Sequence, residues 1–284
     1  MFSGEYTSDC AYLYETPAEE YSNLPELPVS RTGAAAVAIC RDDVCLYFIG
    51  GTHDLEQNAS RNVDMFDMAK GAWTKRITCL LNACMYHAAV VYSGAIIVTG
   101  GVRATDTTPS LSACQRIDAS THEVTAIQRM LDQRAHHACV VYRDEVVVIG
   151  GTQYVDVQMS ELPIFVQHKN EITKCERLSA DMQTWTPFPE LPTPLSEISA
   201  AVACDKIFAR TTHYPGDFAV FDGTAWCTMA SWPVHAGLLV QLDGEIVVLP
   251  TAGGKMKKLD PVLLVWSDGP WLRSIPDHSA VVSF

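Results

Sequence analysis

Three histidines occupy one recurring place in this chain: "HAAVVY" begins at His87, "HACVVY" at His137 and "HSAVVSF" at His278. Imidazole is the commonest metal ligand, which makes a repeated histidine a candidate metal ring. A metal site, however, needs its donors to converge within about 2 Å of one ion, and side chains on separate repeats have no need to converge. The recurrence therefore reads as one structural contact used three times. Arg31, Arg103 and Arg134 carry a second chemistry, because a guanidinium takes carboxylate or phosphate through paired, charge-assisted hydrogen bonds. Catalytic spacings are missing: there is no G-x-S-x-G, no H-E-x-x-H and no G-x-x-x-x-G-K. Lys255-Met256-Lys257-Lys258 is a basic run too short for nucleic acid. These residues point to binding, with no enzyme activity, cofactor or metal.

The elements that must position them repeat. "LYFIGGTHD" from Leu46, "IIVTGGVRA" from Ile96 and "VVVIGGTQY" from Val146 place glycine pairs at Gly50-Gly51, Gly100-Gly101 and Gly150-Gly151. Each copy holds two apolar runs, a variable polar loop, a third run closing on an acidic residue and a fourth opening on an aromatic. Asp67 precedes Trp73 by six residues, as Glu15 precedes Tyr21 and Asp260 precedes Trp266. Asp118 to Val124 and Ser179 to Trp185 keep that spacing; Asp222 to Trp226 is shorter by two. Short runs rich in Val, Ile, Ala and Tyr between turn residues predict strands. The first two runs are apolar throughout, as expected of strands covered on both faces. Four-stranded sheets packed around an axis meet that need, and a period near 50 residues predicts a propeller.

Composition agrees. The chain has 284 residues, 48% of them hydrophobic, and a net charge of −13, so an electrostatic footprint for nucleic acid is absent. No apolar stretch is long enough for a membrane helix. Ten cysteines occur singly, without C-x-x-C, and several lie in apolar runs (Cys40, Cys45, Cys139, Cys204). They read as buried thiols in a reducing compartment, which with the lack of a secretory signal predicts the cytoplasm.

The glycine pairs, the acidic-to-aromatic spacing, and Arg31 and Arg134 at the close of the fourth strands resemble the kelch family. The resemblance is strong in repeats two to four and weak after residue 190, where Thr211-Thr212 and Pro250-Thr251 replace the glycines. It implies an all-β, six-bladed propeller of four-stranded antiparallel blades in a single domain over 1–284. Five copies run about 32–81, 86–132, 136–192, 197–233 and 235–276. The N-terminal piece ("MFSG", "CAYLYE", "YSNLPEL") and the C-terminal strand "HSAVVSF" are expected to complete the sixth blade.

In kelch propellers the loops after the second strand and those between blades surround one channel mouth. The resemblance thereby places His53, Arg103, Tyr154, His213 and Tyr214 in the first set, and Arg31, Tyr86, Arg134 and His136 in the second. Arg and Tyr are favoured interface anchors. The expected function is a protein-interaction module or scaffold subunit of a larger complex, binding a protein or peptide with an acidic motif. For Arg31 and Arg134 a framework role, bonding loop carbonyls, stands equally open. A sialic-acid mutarotase matches in size and blade number and is the alternative. A ubiquitin-ligase adaptor role applies where the chain is part of a longer one, since no cullin-binding domain precedes the repeats.

Overall fold

Each acidic-to-aromatic spacing proves to be one hairpin. The computed structural model describes residues 11–15, 20–53, 58–104, 109–158, 165–212, 217–229, 237–250 and 254–272. Strands β1 (Ala11–Glu15) and β2 (Glu20–Leu24) form a two-stranded sheet. Then come five four-stranded blades. The first is β3 (Thr32–Cys40), β4 (Val44–Thr52), β5 (Asn62–Asp67) and β6 (Ala72–Cys79); the second is β7 (Ala88–Tyr92), β8 (Ala95–Thr99), β9 (Cys114–Asp118) and β10 (Val124–Ile127). In the third, β11 (Ala138–Tyr142) and β12 (Glu145–Ile149) are separated from β15 (Cys175–Leu178) and β16 (Trp185–Phe188) by an inserted ribbon, β13 (Thr152–Gln158) and β14 (Phe165–Glu171). The fourth comprises β17 (Ile198–Ala203), β18 (Lys206–Thr211), β19 (Phe218–Phe221) and β20 (Trp226–Met229). The fifth comprises β21 (Gly237–Leu242), β22 (Glu245–Pro250), β23 (Gly254–Leu259) and β24 (Trp266–Leu272).

The aromatic near the start of a fourth strand pairs with the residue before the acid, or before Ser179 in the third blade: Tyr14↔Tyr21, Phe66↔Trp73, Leu178↔Trp185, Phe221↔Trp226 and Leu259↔Trp266; in the second blade Val124 takes that place against Ile117. The shortened fourth repeat loses turn residues and keeps the pair. The acid caps its turn. Asp118 accepts the Ser120 and Thr121 amides, Asp222 those of Thr224 and Ala225, and Asp260 those of Val262 and Leu263. These backbone bonds favour the charged form and hold Asp118 and Asp222 down at about 2.

First strands touch in succession, β3 with β7, β7 with β11, β11 with β17 and β17 with β21. All blades are antiparallel throughout. The architecture is an all-β propeller of four-stranded sheets. Double-sided burial belongs to the second strands, with β8 buried along its whole length, whereas the first strands are only partly covered. Interfaces between blades are apolar: Ile49 and Val63 pack with Ile96 and Ile117, and Phe208 and Phe218 with Leu239 and Val248.

Five four-stranded blades stand in the described residues, where six were expected. Of the strands expected for a sixth, β1 and β2 are described, as a sheet of their own; residues 1–10 and 273–284, which carry the remaining expected strands, lie outside the described residues. One contact bears on β2. Trp185 Nε1 donates to Gln128 O and Trp226 Nε1 to Pro189 O, each the residue just after the preceding blade's fourth strand. Trp73 Nε1 makes the same 2.9 Å bond to Pro25 O, just after β2.

Candidate functional site

Antiparallel order sorts the connections into two ends. The mouth end carries the loops after second strands and the links between blades. The turn end carries the one-to-two and three-to-four turns, tied from blade to blade by Tyr92 Oη to Asp144 O, Tyr142 Oη to Asp205 O and Lys206 Nζ to Pro261 O.

Arg31 and Arg134 turn inward at the mouth end. Arg134 is 0% exposed, donates to Gly150 O and Lys174 O, and forms an ion pair with Glu176, itself 2% exposed. Glu176 also accepts the Leu131 and Asp132 amides. Arg31 repeats the arrangement with Gly50 O, Asn62 O and Asp64. The terminal nitrogens of both guanidiniums lock a link onto its own blade. They cannot touch a partner, so the framework role replaces the rim role for these two residues.

The aligned positions show why. The second blade has Cys84 in place of the arginine and Gln115 in place of the acid; the fourth has Leu195 and Ala219. Gln115 bonds the Asn82 amide and carbonyl instead. In the first four blades the charge at these two places appears as a pair or not at all, as expected where an unpaired buried ion is costly; the fifth carries Lys257 at the place of the acid, paired with Asp268.

The remaining mouth residues do meet. The rings of Tyr86 and His136 stack at 4.3 Å, and Tyr154 stands edge-on to His136 at 6.1 Å. Tyr86, His136 and Glu197 hold equivalent places before their blades' first strands, all with φ between 51° and 54°. Backbone bonds join this row, Tyr86 N to Gly33 O and His136 N to Tyr86 O. Tyr154 belongs to the ribbon, whose base is fixed by Ser110 and Gln133. Arg103 is exposed and bonds Asn82 Oδ1 at 3.2 Å. His53 is half-buried, its Nδ1 3.4 Å from Ser30 O. His213 and Tyr214 lie outside the described residues.

The repeated histidines serve packing. His87 and His137 are buried, with their rings 2.8 Å from where a Cβ on Gly50 or Gly100 would stand. That contact, together with a carbonyl 2.4 Å from each would-be Cβ and φ near +60°, explains the first glycine of the pair. Burial pushes His87 down to about 4 and His137 well below the usual imidazole value. His137 Nε2 meets Thr99 Oγ1 at 2.8 Å. Among the described residues no group of three or more His, Cys, Asp or Glu could hold a metal. His278 lies outside them. The nine described cysteines are free thiols, but Cys40 and Cys204 are exposed where burial was expected, because each sits at the edge of a tight turn.

One surface was missed in the sequence. The turn Pro261–Val265 exposes Val262 (65%), Leu263 (71%) and Val265 (60%). The second blade builds the same turn: Leu264 N bonds Asp260 O at 2.8 Å as His122 N bonds Asp118 O, and Leu264 and His122 both have positive φ. There the side chains are Ser120, Thr121, His122 and Glu123; here they are Val, Leu, Leu and Val. Aligning the turns by their acids exposes the anomaly in sequence alone.

No protein-family model and no curated protein matches the chain. Among solved structures, the "Structure of YjhT" superposes with a TM-score of 0.73 at 13% identity, covering 93% of this chain and 92% of that one. The likeness is one of fold. It places this chain among the β-propellers. No helix among the described residues is long and apolar enough to cross a membrane.

Proposed function

We propose that this chain is a six-bladed, kelch-type propeller serving as a cytoplasmic protein-interaction module or scaffold subunit, and that its partner docks on the turn end. The observation that carries the reading is the Val262–Val265 turn. Its geometry is that of its polar counterpart, so the fold does not require aliphatic side chains there. Its amides are pre-bonded to Asp260, so little ordering opposes docking. Burying each such side chain is worth roughly 1.5–3 kcal/mol, the scale of an interface hot spot. The tie from Trp73 to Pro25 supports β2 as the outer strand of a sixth blade, and free thiols suit the cytoplasm.

The test compares two variants of the tagged protein by quantitative affinity purification from its native source. Val262→Asp with Leu263→Asp should lose the co-purifying protein that wild type retains. Tyr86→Ala with Arg103→Ala should keep it. Loss from the mouth variant alone returns the partner to the mouth and removes the turn-end reading.

A further inference from the structure

Arg210 is a buried cation that no carboxylate among the described residues answers. It is 5% exposed and lies at the mouth end of β18, paired with Ser199 on β17 and Phe218 on β19. Its Nε donates to Thr211 O at 3.0 Å, and its two terminal nitrogens have no partner among the described residues. Burial alone lowers it to about 10, with no neighbouring charge contributing. Arg31 and Arg134, by contrast, each hold an acid.

The repeat supplies an internal control. At the place of Arg210 the other blades carry Ile49, Thr99, Ile149 and Leu249. The framework nowhere else asks for a cation there. Phe208, two residues earlier and so on the same face of the strand, packs against Leu239, Ile246 and Val248 of the fifth blade. Arg210 therefore enters the seam between the fourth and fifth blades. At the facing position across the other seams stand His87, His137 and Ile198, each 2.8 Å from the would-be Cβ of a glycine. The fifth blade has Gly237 instead. This seam gains a guanidinium and loses a bulky neighbour. Among the described residues, atoms sealed from solvent without a partner include Arg31 Nε, both His87 ring nitrogens, Arg134 Nε, His137 Nδ1 and Thr152 Oγ1. The terminal nitrogens of Arg210 are likewise without a partner among the described residues.

We propose that Arg210 anchors a binding site for an oxyanion, the carboxylate or phosphate of a small molecule or an acidic peptide, at the mouth end of this seam. The Nε bond to Thr211 fixes the fork, and the two free terminal nitrogens present the parallel donors that a carboxylate or phosphate accepts. This site lies at the opposite end from the docking turn and does not depend on it. The competing account is that the guanidinium merely fills the room left by Gly237.

The test titrates the full-length protein with sodium acetate, sodium phosphate and a blocked Asp-Glu peptide, each against sodium chloride at equal ionic strength. Melting temperature and calorimetric affinity are read. At least one oxyanion should raise the melting temperature saturably where chloride does not, and the responding probe tells a small acid from a peptide. Arg210→Lys should weaken that binding at least tenfold, and Arg210→Met should abolish it. Responses equal to chloride for all three probes overturn the proposal. So does an unchanged affinity in either variant; if Arg210→Met fails to fold, Arg210→Lys alone decides.

Discussion

Replacing Arg134 by alanine should damage the fold and not merely a surface. The change removes the counter-ion of Glu176 and the donor to Gly150 O and Lys174 O, in a site where the two side chains are 0% and 2% exposed. Breaking a buried pair by deleting one partner costs about 3–5 kcal/mol. Against a total stability of roughly 5–15 kcal/mol, that is a large share, and it corresponds to a fall of about 6–20 °C in melting temperature for a chain of this size. Urea unfolding followed by tryptophan fluorescence reads it directly. Arg103→Ala, on an exposed side chain, should change stability by no more than about 0.5 kcal/mol. The double change Arg134→Cys with Glu176→Gln recreates the neutral pair of the second blade, Cys84 and Gln115, and should recover more than half of the loss. An unchanged midpoint in Arg134→Ala, or no recovery in the double variant, refutes the lock.

Stability should decline as pH falls from about 6.5 to about 4, because the unfolded chain protonates His87 in that window and the folded one does not. His87→Gln should make the slope shallower by about 1.4 kcal/mol per pH unit, measured by urea unfolding across the window; identical slopes count against burial of a neutral ring. Brief thiol labelling of the native protein should modify Cys40, Cys79, Cys204 and Cys227 and spare Cys84, Cys114 and Cys175, whose thiols burial pushes up to about 12, 12 and 11. Peptide mass spectrometry showing rapid labelling of Cys84 contradicts the packing. Gly100→Ala sets a Cβ 2.4 Å from Arg134 O at positive φ and should leave little folded protein by circular dichroism, whereas a stable variant would show that the loop can shift.

The blades were legible because their signals are local and repeated. Apolar runs gave the strands, and the acidic-to-aromatic spacing gave each hairpin, even where the turn lost two residues. The site was less so. Arg31 and Arg134 looked like rim residues because their carboxylate partners, Asp64 and Glu176, lie 33 and 42 residues away. The signal was present in the paired change to Cys84 with Gln115. Loop position put Tyr86, His136 and Tyr154 at one mouth; the ring contacts that the structure makes among them depend on the positive φ at Tyr86 and His136, which no residue type there announces. The Val262–Val265 turn and Arg210 escaped because each is ordinary alone and anomalous only against its counterparts in other blades.

Docking through the turn end is tested most directly by photocross-linking in the protein's native source, with a photoreactive phenylalanine at position 263, 86 or 103. A covalent adduct to one partner from position 263, and none from 86 or 103, is the predicted result. Adducts from 86 or 103 with none from 263 would contradict it.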